Sequence, residues 1–157
     1  MTHLMDLVAG QAREILLVLG LDDLEALDDR RRFAAHVALG GGLDPTWLDL
    51  FAEAIRGVTG SPDPGNFLDA RIELDGPDDG NGRTIERVDP AWIDAVARIQ
   101  DGAIGAVAAG SIDLIEEELG ALPREEKPWI RDLAGRLVAF CRAADREPDV
   151  LFAWSLR

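Results

Sequence analysis

The sequence predicts an α+β fold, predominantly helical, with about five to six helices packed on a small sheet. Three observations carry this. Apolar residues recur at helical spacing over most of the chain. Residues 68–88 instead open with strict alternation, Leu68, Ala70, Ile72 and Leu74 against Asp69, Arg71, Glu73 and Asp75, the period of a half-buried strand that turns back as a hairpin. Residues 150–156, VLFAWSL, are apolar without alternation, as suits a strand covered on both faces. At 157 residues the chain suits one globular domain, 1–157, burying roughly 70% of the surface its unfolded form exposes.

Taken in order, Leu4, Leu7, Val8, Ile15, Leu16 and Leu19 share a helical face, with Thr2 placed to cap, Asp6 in the first turn and Gly20 at the end. This predicts a first amphipathic helix. A short acidic turn then leads to a second helix through Phe33, Val37 and Leu39, ended by Gly40, Gly41 and Gly42. Asp44 caps and Pro45 begins a third, whose apolar face is Leu48, Phe51, Ala52 and Ile55. Gly60 to Asn66 is a loop by composition. After the hairpin, whose return strand is Thr84 to Val88, Asp89-Pro90 restarts helix. Ala103 to Gly110 offers small residues for close packing, and Ser111 and Gly120 bracket a further helix. From Lys127 on, Trp129, Ile130, Leu133, Leu137, Phe140, Cys141 and Ala144 form one broad face. The C-terminal strand is expected to pair with residues 68–74. The echo between LDPTWLD and VDPAWID is read as shared capping grammar rather than a duplication.

Charge is the unusual quantity. Thirty acidic residues against 16 basic ones give a net charge of −14, and Lys127 is the sole lysine. The surplus repels phosphate backbones and anionic lipid surfaces, so neither nucleic acid nor membrane is an expected partner. It favours encounter with a basic protein. With Cys141 alone, no internal disulfide can form. The N-terminus has no cationic segment ahead of its apolar residues, and the apolar run Ile15 to Leu19 is far short of the ~20 residues of a membrane span. A soluble, cytoplasmic protein is expected, and the preference for arginine over lysine with abundant Ala, Asp, Leu and Gly suggests a GC-rich bacterial gene.

The motifs yield no catalytic residue and no cofactor site. The metal candidates are Asp75, Asp79 and Glu86, which with Gly80 fit positions 1, 5, 12 and 6 of a calcium-binding loop. Pro77 stands where another oxygen donor is needed, and an entering strand replaces the entering helix, so the stretch is read as a turn. His36, among alanines on an expected helix, is read as a satisfied, partly buried side chain, and Cys141 as a buried, inert thiol. Arg30, Arg31 and Arg32 are expected to pair with neighbouring acids such as Asp28 and Asp29. Glu116, Glu117, Glu118, Glu125 and Glu126 flank a helix end and are the partner-binding candidates, with a merely solvated face as the competing reading. The function expected is therefore a non-catalytic binder of a basic protein, of the immunity or antitoxin type. The alternatives are an enzyme or small-ligand binder with a carboxylate, Arg and Trp pocket, and a homo-oligomer joined through the terminal strand.

Overall fold

The computed structural model describes residues 3–21, 23–39, 46–59, 67, 71–73 and 84–156. Within them the fold is α+β. Strand β1 (His3–Gly10) runs into helix α1 (Ala12–Gly20), a short 3-10 arm (Leu24–Asp28) and strand β2 (Ala35–Ala38). Helix α2 (Thr46–Thr59) and the strands β3 (Arg71–Glu73) and β4 (Thr84–Val88) follow. Helices α3 (Pro90–Ala97), α4 (Asp101–Leu119) and α5 (Glu126–Ala144) lead to strand β5 (Asp149–Leu156). The strands form one sheet in the order β2-β1-β5-β4-β3, with every neighbouring pair antiparallel.

The sheet is covered on both faces, which explains its central strands. Met5, Leu7 and Ala9 of β1, with Val150 and Phe152 of β5, join the large core shared with α2 to α5. Val8, Leu151 and Ala153 point the other way, into a smaller layer with Ile15, Val18 and Leu19 of α1, Leu27 of the arm and Phe33. A strand buried on both sides cannot alternate apolar and polar residues. The C-terminal segment was legible for that reason.

The same property hid β1. Leu4, Leu7 and Val8 stand at helical spacing, yet the chain is a strand up to Gly10 and a helix only from Ala12, so the single first helix expected there is replaced by a strand and a shorter helix. The helix expected through Phe33, Val37 and Leu39 is the edge strand β2. The hairpin is present, with Arg71, Ile72 and Glu73 opposite Val88, Arg87 and Glu86. However, β5 does not pair with β3. It lies between β1 and β4, where all eight of its residues pair with β1 and Leu151 to Trp154 also pair with β4.

Two of the expected helix boundaries hold, at Asp89 and at Gly120. Asp89 accepts the Ala91 amide at 2.8 Å, with Pro90 at the helix start. Gly120 ends α4 at φ 94°, a value that favours glycine. Ser111 caps nothing: α4 is one continuous helix, and the Ser111 hydroxyl donates back to the Val107 carbonyl at 2.9 Å. The small residues before it let α4 approach α2, since a Cβ on Gly110 would stand 3.4 Å from that of Ala54. Asp44 and Pro45 lie outside the described residues.

Candidate functional site

Helices α4 and α5 pack against each other, so the C-terminal turn of α4 and the first turn of α5 meet at one corner. Lys127 closes it, its Nζ 3.1 Å from Glu116 Oε1. This brings together the five glutamates that the sequence singled out. Glu116 is half-buried and neutralised by Lys127, whereas Glu117, Glu118, Glu125 and Glu126 are exposed and, among the described residues, form no ion pair. Leu119 stands among them, 61% exposed.

The local electrostatics of this corner are unfavourable to the isolated protein. A helix C-terminus carries partial negative charge, and each anion placed in that turn costs about 0.3–1 kcal/mol at low ionic strength. The last turn of α4 holds Glu116, Glu117 and Glu118 and no basic residue. Glu126, in the first turn of α5, has the opposite and favourable placement. The corner thus concentrates charge at a helix end that stability alone would fill with Lys or Arg.

The second polar cluster surrounds His36, and sequence reasoning missed it. His36 lies on β2, not on a helix, and its side chain is 9% exposed. Its Nε2 is 2.7 Å from Asp6 Oδ1 and its Nδ1 is 2.8 Å from Asp28 Oδ1. Burial by itself would lower the ring's pKa, but the hydrogen bonds and charges of the two carboxylates outweigh it and hold it above the ordinary 6.5. Both ring nitrogens are engaged by carboxylate oxygens.

Glu86 is half-buried on β4 and accepts the Trp154 indole N–H at 3.2 Å; Asp75 and Asp79 lie outside the described residues. No group of three potential metal ligands occurs among the described residues. Cys141 is fully buried, and burial pushes its thiol far above its usual range. Arg30 pairs with Asp28 at 3.6 Å, as expected of the arginine run, but Arg32 reaches the more distant Glu14 at 3.4 Å. A shallow cleft of about 420 Å³ beside Arg31, Arg32, Glu14 and Glu147 is therefore partly closed by its own ion pair. Trp47 and Trp92 are buried in the core and line no such cleft. No described helix is long and apolar enough to cross a membrane. Comparison of the chain with protein-family models, with curated proteins and with solved structures finds no match in any of the three.

Proposed function

We propose that this protein is a non-catalytic inhibitor-type binder that docks its acidic corner on the basic surface of another protein. One observation carries the reading: exposed glutamates crowd the C-terminal turn of α4, where they oppose the helix dipole, with Leu119 projecting among them. Functional surfaces commonly retain residues that a stability optimum would replace. An apolar residue inside a polar, solvent-accessible rim is also the general anatomy of a protein–protein interface. The net charge of −14 adds long-range attraction to a cationic partner, and such attraction acts mainly on the association rate.

The reading makes two linked demands of the variant Glu117→Lys/Glu118→Lys. Unfolded by urea at low salt, it is expected to be more stable than the parent, by about 0.3–1 kcal/mol per substitution. In pull-downs from a lysate at low salt, the parent is expected to retain a basic protein that the variant and a Leu119→Glu variant lose. Once purified, that protein should bind the parent with an association rate that falls steeply as salt rises. Equal retention by parent and variants, or salt-independent association, overturns the proposal.

A further inference from the structure

Asp6, His36 and Asp28 come from three elements: the middle of β1, the edge strand β2, and the last residue of the arm between them. An ionised carboxylate only accepts hydrogen bonds, and a neutral imidazole has a single N–H. With a carboxylate oxygen within 2.8 Å of each ring nitrogen, both contacts are made together only while the ring carries two protons. We propose that this bridge is a proton-operated clamp: the imidazolium fastens the Leu24–Asp28 arm to the sheet edge, and loss of its second proton releases the arm.

The arm has few other holds. Its backbone hydrogen bonds run within itself, as from Ala26 N to Asp23 O and from Asp29 N to Ala26 O, or lead to the end of α1, as from Asp23 N to Val18 O. Leu27 alone among its residues is fully buried, in the small layer with Val8, Ile15, Leu19 and Phe33. Leu24, Glu25 and Asp28 are exposed.

The charges around the ring come from every packed element. Asp6 faces it from β1 and Asp28 from the arm. Arg30, which pairs with Asp28, and Arg136 of α5, which pairs with Asp132 at 3.0 Å, line the hollow beside it. The net effect holds the ring's pKa above 6.5. The clamp is thus closed at and below that pH, while both carboxylates remain ionised, and opens as pH rises through the folded-state value. It shares no residue with the acidic corner.

Nitrogen-detected NMR of the folded protein, with the His36 signals assigned by their loss in His36→Gln, tests the clamp directly. Both ring nitrogens are expected to show attached protons below pH 6.5, and the ring to titrate above that value. Over the same range the amides of Ala26 in the arm and of Asp29, which bonds the arm's Ala26 carbonyl, are expected to lose exchange protection several-fold, after correction for intrinsic exchange. Those of Leu137 and Val138 in α5 are expected to hold theirs. In Asp28→Asn, an exposed and conservative change, the ring should titrate lower and the arm amides should lose their pH dependence. A ring that titrates at or below 6.5 overturns the proposal. So does arm protection that tracks α5 at every pH, or an Asp28→Asn profile identical to the parent's.

Discussion

Arg146 adopts φ 81° in the turn between α5 and β5, a region in which a Cβ crowds the neighbouring carbonyl. The turn requires that backbone: Asp145 N reaches Cys141 O at 2.9 Å and Glu147 N reaches Ala144 O at 3.0 Å, so the residue beyond the cap must swing left-handed. Glycine would adopt the angle without strain, at some entropic cost in the unfolded chain. Arg146→Gly is therefore expected to stabilise the protein by about 0.5–1 kcal/mol, read as a higher urea midpoint with an unchanged slope. Unchanged or lower stability would mean that the arginine side chain supplies packing that outweighs its backbone strain.

Among the elements, α1 shows how a helix can be capped from a distant part of the chain. Its N-cap residue, Gln11, makes no side-chain cap. Asp149, the first residue of β5, accepts the Ala12 amide at 3.0 Å and also pairs with Arg87 of β4 at 3.2 Å. One carboxylate thus joins α1, β4 and β5. Asp149→Ala should cost about 1–2 kcal/mol: about 1 for the cap and up to about 1 for a partly exposed ion pair. Amides in the first turn of α1 should lose exchange protection before those of α5; uniform loss would show that the link is not local. No sequence pattern announces this contact, since 137 residues separate its partners. The same reason concealed the His36 bridge, which depends on β1 pairing with β2. Where local grammar decided the structure, the sequence was legible: Asp89-Pro90 and Gly120 bound the helices they were expected to bound, and the glutamates of α4 and α5 meet because the connection between them is short. It misled where alanine, a strong helix former, occupied a strand. Ala35 and Val37 are the buried positions of β2, and Phe33 and Leu39 on either side of it are buried too, a period of two set in FAAHVAL that read as helix.

For the whole molecule, a net charge of −14 sets how stability responds to solution conditions, because like charges repel more strongly in the folded body than in the expanded chain. At about 0.01 M salt the screening length is roughly 30 Å, comparable with the size of the domain, and by 0.15 M it has fallen to roughly 8 Å. Added sodium chloride should therefore raise the urea midpoint over that interval, the opposite of what a fold held together by its surface ion pairs would show. The pH response adds a second contribution of known sign. His36 has a folded pKa above its unfolded 6.5, so its stabilisation is complete below 6.5 and drains as pH rises through the folded value. Lowering the pH from 9 to 6 should then increase stability at every salt concentration. His36→Gln should flatten that rise without altering the response to salt, because one residue governs the proton step while the summed carboxylates govern the salt step. If instead the substitution changes both responses equally, the ring acts only as one charge among many, and the bridge to Asp6 and Asp28 has no separate hold on the fold.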